Sequence, residues 1–142
     1  MKVIPQNIIR ERRDTQMVLK EKKSKITLLN PNRKLYHEVK VDGDLYAITD
    51  TTERRCDYLE LGKETADAFY IELKGIDVGA AYEQLLATIQ QVDVGQVNKK
   101  TAIAVTPHIP KANVKFQKYV KICSKHNVEL KVVNSGSSYP LY

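Results

Sequence analysis

RRCDYLELGKETADAFYIELKG, residues 54–75, decides how this chain is read. Its two strand-like runs, RCDYLEL and AFYIELK, are joined by a longer loop and read as an antiparallel hairpin. Alternation along a strand puts Glu72 and Lys74 on one face, while Ile71 and Leu73 point into a core. The antiparallel neighbour carries Asp57, so two carboxylates and one ammonium are expected to converge.

Those residue types suit phosphodiester cleavage. Two carboxylates supply hard oxygen ligands for Mg²⁺, which keeps water in its remaining positions while it engages substrate phosphate. A lysine beside such an ion can orient or help deprotonate water, or neutralise charge that builds on the phosphoryl oxygens.

Glu-x-Lys alone is weak evidence, because it occurs four times: Glu21 with Lys23, Glu38 with Lys40, Glu72 with Lys74 and Glu129 with Lys131. Context separates them. Only the third follows an apolar run, AFYI, with an aspartate in the strand before it and a glycine after it. The competing reading of the same residues is a solvated cross-strand ion pair.

The order of a strand with Asp57, a strand with Glu72 and Lys74, and then a helix resembles the PD-(D/E)xK nuclease superfamily over roughly residues 44–106. The resemblance implies a restriction endonuclease-like or Holliday junction resolvase-like core and Mg²⁺-dependent hydrolysis of nucleic acid, with Mn²⁺ as a substitute ion. It makes Asp57 and Glu72 metal ligands, Lys74 the catalytic lysine and the Leu73 carbonyl a further ligand. Cys56 stands where the name-giving proline would be. Gln84, in AAYEQLLATIQQ, corresponds to a polar residue that the following helix presents to such sites, and an exposed helix glutamine is the alternative. A further acid from an early element is also implied, with Glu11, Glu21 and Glu38 as candidates.

The 142 residues are expected to form one domain, 1–142, long enough to bury most of the unfolded surface. No apolar run approaches 18 residues, so no membrane span is expected. MKVIPQNIIRERRDTQ lacks a signal peptide's apolar core, which makes a cytoplasmic location the expectation. Cys56 and Cys123 are too few for a metal knuckle or disulfide framework and are expected reduced and half-buried.

Net charge is +6, unevenly spread. Residues 1–40 hold eleven Lys or Arg against four acids, 41–98 hold four against twelve, and 99–142 hold eight against one. Basic flanks around an acidic middle suit a protein that grips phosphates at its ends and a metal at its centre. The lysines at 111, 115, 118, 121 and 125 are equally what the wet face of an amphipathic helix would show.

Along the chain, residues 6–23 read as a helix and Asn30-Pro31-Asn32 as a turn. KLYHEVKV and DLYAIT read as strands joined at Asp42-Gly43, which with the second hairpin gives a four-strand meander. Residues 77–92 read as a helix with Asp77 as N-cap and Ala81, Leu85, Thr88 and Ile89 inward. TAIAVTP reads as a strand buried on both faces, and 111–127 as a helix with Val114, Tyr119 or Val120 and Cys123 inward. VELKVV is a last strand, parallel to TAIAVTP, and NSGSSYPLY a loose tail. The sum is an α/β fold, a mixed central sheet flanked by helices.

His37, His108 and His126 lack ligand spacing and read as structural or exposed. Arg54 and Arg55 suit phosphate, or a loop pair balancing Asp50 and Glu53. Tyr36, Tyr46, Tyr58, Tyr70 and Tyr82 suit half-buried packing or base stacking. The expectation is a DNA endonuclease, acting as a homodimer or within a larger complex. The rival is a non-catalytic nuclease-fold module that binds nucleic acid or a partner protein.

Overall fold

The computed structural model describes residues 8–43, 46–47, 55–73, 78–108 and 114–141. In chain order the elements are β1 (Ile8–Arg12), β2 (Gln16–Glu21), β3 (Ser24–Leu29), β4 (Tyr36–Lys40), β5 (Asp42–Gly43), β6 (Tyr46–Ala47), β7 (Tyr58–Gly62), β8 (Asp67–Leu73), α1 (Val78–Gln91), β9 (Lys99–Thr106), α2 (Val114–Lys125), β10 (Val128–Asn134) and β11 (Ser138–Pro140). The central sheet has the order β1-β4-β7-β8-β9-β10. Its first four strands are antiparallel neighbours and its last three are parallel, so the sheet is mixed, as expected.

Two apolar layers hold this sheet. On one face Leu59, Leu61, Ala68, Tyr70, Ala102 and Ala104 pack with Ala81, Tyr82 and Leu85 of α1 and with Tyr119 and Cys123 of α2. On the other, Phe69, Ile71, Leu73, Ile103 and Val105 meet a second sheet, of order β11-β3-β2, through Met17, Leu19, Ile26 and Leu28. Strands β8 and β9 are thus covered on both sides, which is why they read as almost unbroken apolar runs. All seven residues of β8 are buried.

The N-terminal expectation is overturned: residues 8–12 and 16–21 are strands, where the sequence predicts a helix over 6–23. Period two decides it, since Met17 and Leu19 are buried while Gln16, Val18 and Lys20 are exposed. The β2–β3 hairpin closes on Lys22 and Lys23, with Lys22 at φ 53°. No Asn-Gly or Asp-Gly advertises that turn.

The Asp42-Gly43 hairpin is also corrected. Strand β4 pairs with β1 and β7, whereas Asp42–Gly43 pairs in parallel with Tyr46–Ala47. The meander therefore consists of β4, β7 and β8, with β1 beside it. Asp50 and Asp77 lie outside the described residues.

The C-terminal tail is not loose: β11 pairs in parallel with β3, and Leu141 is buried. Tyr139 and Leu141, two apart, supply apolar groups to the second core. In α2, Tyr119 and Cys123 face inward as expected, but Val114 is 84% exposed. Five residues before Tyr119 is a rotation of about 140° off the inward direction. Both cysteines are free and buried, not half-buried: Cys56 lies under α1, and Cys123 is on the face of α2 that packs on the sheet. Tyr36, Tyr70 and Tyr82 belong to the core and do not offer faces to bases.

Ile103, central in β9 and fully buried, is expected to lose about 2–5 kcal/mol of stability on substitution by Ala. Val114→Ala should change stability by less than about 0.5 kcal/mol. Urea denaturation of the two variants checks both values.

Candidate functional site

Asp57 immediately precedes β7, and the β7–β8 register, which pairs Tyr58 with Ile71, carries it to the end of β8 beside Glu72. Its own N–H donates to the Ile71 carbonyl at 3.1 Å, and its carbonyl accepts from Val41 N–H at 2.9 Å. Asp57 Oδ2 also accepts from Leu73 N–H at 2.8 Å. Backbone and side chain of Asp57 are therefore both locked to neighbouring strands. Glu72 alternates with Ala68 and Tyr70 and so lies on the α1 side of the sheet.

The side chains of Asp57 and Glu72 interact. Asp57 is 9% exposed and Glu72 2%. Burial lifts the Asp57 carboxyl above its ordinary range; the charge of Glu21 adds to the effect, while Leu73 N–H, Lys40 and the contact with Glu72 oppose it. Taking carboxylates out of water favours their neutral form unless a cation compensates. Lys74 lies outside the described residues.

Helix α1 clamps the chain just ahead of Asp57. Cys56 N–H donates to Thr88 Oγ1 at 2.8 Å, and Thr88 Oγ1 donates to the Gln84 carbonyl at 3.0 Å. Gln84 is buried, and its Nε2 donates to the Arg55 carbonyl at 3.3 Å. The exposed-glutamine alternative is thus excluded. The structure brings Asp57, Glu72 and the Leu73 backbone together, and Gln84 reaches the segment that carries Asp57.

Other expectations are revised. Arg55 is buried, with Nε donating to Gln91 Oε1 at 3.0 Å, so it binds helix α1; Arg54 and Glu53 lie outside the described residues. Glu129 and Lys131 form an exposed ion pair at 2.6 Å, the bland form of Glu-x-Lys. His37 sits 3.3 Å from Glu11, and His108 and His126 are exposed. Of the three early acids, Glu21 bears on Asp57 through its charge, Glu11 faces His37, and Glu38 is engaged elsewhere. The Cys56 thiol, fully buried, is pushed well above its ordinary range and is no nucleophile.

Sequence reasoning missed a second buried acid pair. Glu38 on β4 stands directly opposite Glu60 on β7, with exposures of 3% and 0%. Arg10 Nε and Arg12 Nη1 each donate to Glu38 at 2.9 Å. Burial lifts Glu38, but hydrogen bonds from Glu60, Arg12 and Arg10 outweigh it and hold that carboxyl below its ordinary range. Burial and the adjacent Glu38 push Glu60 well above its own. Both Glu60 oxygens are buried without a donor; the neutral form that burial favours lets one of them donate to Glu38. Only knowledge of β1 and of the β4–β7 register could have revealed this cluster.

Among the described residues no group of three or more His, Cys, Asp or Glu side chains is arranged to hold a metal ion, so Asp57 and Glu72 make a two-carboxylate set. No helix of the described residues is long and apolar enough to cross a membrane. Comparison with protein-family models, with curated proteins and with solved structures returns no match.

Glu60 gives a signed pH dependence. With its folded pKa raised, the folded chain keeps a proton that the unfolded chain releases above the ordinary glutamate range, so this group costs stability increasingly as pH rises toward its folded value. Glu60→Gln, which still donates to Glu38, is expected to match the parent near pH 4 and to exceed it by a growing margin toward pH 8. Thermal melts of both proteins across that range test the sign.

Proposed function

We propose that the chain is a metal-dependent nuclease with a restriction endonuclease-like core, hydrolysing phosphodiester bonds in nucleic acid, with DNA as the expected substrate. The observation that carries this reading is the buried Asp57–Glu72 carboxyl pair at the end of the β7–β8 hairpin, followed by a helix and a parallel strand. A pair of buried carboxyl groups in contact is stable only if a proton or a cation offsets their charge. Hard oxygen donors so placed fit Mg²⁺ or Mn²⁺.

Asp57, Glu72 and the Leu73 carbonyl would hold the ion. When bound, it polarises a phosphate oxygen and acidifies water. The chain's own groups supply the rest. Leu73 N–H fixes one oxygen of Asp57, and the Gln84 and Thr88 contacts hold the preceding backbone against α1. Lys74 is assigned the charge that develops on the phosphoryl oxygens. Water adds to phosphorus, one P–O ester bond breaks, and the leaving alkoxide takes up a proton. Reaching both strands of a duplex is assigned to a second copy, or to a larger complex containing this chain.

Purified parent is expected to nick or degrade supercoiled plasmid in Mg²⁺ and to stop in chelator. Asp57→Ala, Glu72→Ala and Lys74→Ala should each lower the rate by about a hundredfold or more, the scale of removing one electrostatic interaction with a transition state. Gel-based cleavage assays decide it. Variants that cut as fast as the parent would overturn the enzyme reading, and a parent that binds DNA without cutting would favour the non-catalytic module.

A further inference from the structure

A groove of about 650 Å³ opens between the N-terminal ends of β9 and β10 and helix α2. Phe116, Val120 and Leu130 line it on the helix side, which Lys100 shares; Lys99, Glu129 and Lys131, alternating with Ile103 and Val133, line it from the other face of the same sheet edge. Phe116 and Val120, four apart, share the helix face turned to it. The lysines lie in the part of the chain, residues 99–142, that holds eight basic residues against one acid. That acid is Glu129, on the same groove, and its ion pair with Lys131 joins groups that are 55% and 45% exposed. An ion pair that wet contributes little and exchanges readily for a competing anion.

The groove is remote from the carboxyl pair. In the β8–β9 register Leu73 aligns with Val105, whereas Lys99 aligns with Asp67. Six residues of strand separate the two levels, about 20 Å at roughly 3.3 Å per residue. An acidic centre at one end of the sheet and a lysine-lined groove at the other match one extended polyanion better than a compact ligand. Resting on the nuclease reading above, we propose that this groove seats the phosphate backbone of the nucleic acid, away from the bond to be cut. At about 3.4 Å per nucleotide step, a substrate must span roughly six nucleotides to engage both places.

The test is fluorescence anisotropy of labelled 20-mer single-stranded and duplex DNA in chelator, so that no divalent ion contributes. Lys99→Glu/Lys100→Glu is expected to weaken binding at least tenfold at about 0.1 M salt and to flatten the dependence of log K on log salt by about 2, near 0.9 for each phosphate no longer neutralised. Glu129→Gln frees Lys131 and should tighten binding severalfold, a gain that misfolding cannot mimic. Parent-like affinity and salt slope in both variants would overturn the groove, whatever the cleavage assay shows. Lysine-dependent binding by a parent that cuts nothing would leave the groove standing and remove the nuclease reading. A parent that binds neither form of DNA but binds labelled polyglutamate in the same assay would replace the nucleic acid with an acidic polypeptide partner.

Discussion

Strand β8 is buried along its whole length, and a strand covered on both faces has no water with which to satisfy charge. Every acidic group placed on it must find its counter-group inside the protein. Asp67, at its start, accepts from Tyr36 Oη at 3.2 Å and is also bonded by Thr65. Glu72, near its end, meets Asp57. The first is the ordinary solution, hydroxyl groups turned toward a carboxylate. The second sets acid against acid, and that arrangement gives the end of the hairpin its chemical interest.

The contrast with Glu38 and Glu60 sharpens the point. That pair also sets acid against acid, yet two arginines donate to Glu38 and burial favours the neutral form of Glu60, so the cluster ties β1, β4 and β7 together. Breaking up a buried network of this kind costs more than a surface pair would, because each partner removed leaves another stranded. The Asp57 carboxyl is instead lifted by burial and by the charge of Glu21, with a backbone N–H and the more distant Lys40 in opposition. The two pairs thus differ in what surrounds them: arginines donate to Glu38, whereas a backbone N–H donates to Asp57.

The helices and the strands they connect were legible because their periods are clean. Ala81, Leu85 and Thr88 are buried on α1 at helical spacing, and the apolar run from Ala102 to Val105 admits only a doubly covered strand. Asp57, Glu72 and Gln84 were also legible as residues, since a hairpin of known alternation brings the first two together. The N-terminal half was not. Ile8, Ile9, Met17, Val18 and Leu19 fit neither period well over the whole segment, and the turn between β2 and β3 is made of two lysines. The tail hid for another reason: three residues of β11 gain their pairing from β3, more than 100 positions earlier, which no local pattern reports. Without β1 there was no way to place Arg10 and Arg12 against Glu38, and so the second acid pair stayed invisible.

The central claim is that the Asp57–Glu72 pair exists to hold a divalent cation and not merely to share a proton. Titration of Mn²⁺ into the protein, with free ion followed by electron paramagnetic resonance and proton release recorded in weak buffer, addresses it directly. The account predicts one ion per chain with protons released on binding, and loss of both signals in Asp57→Asn/Glu72→Gln, which keeps the shape of the pair. A double variant that binds Mn²⁺ as tightly as the parent would contradict it.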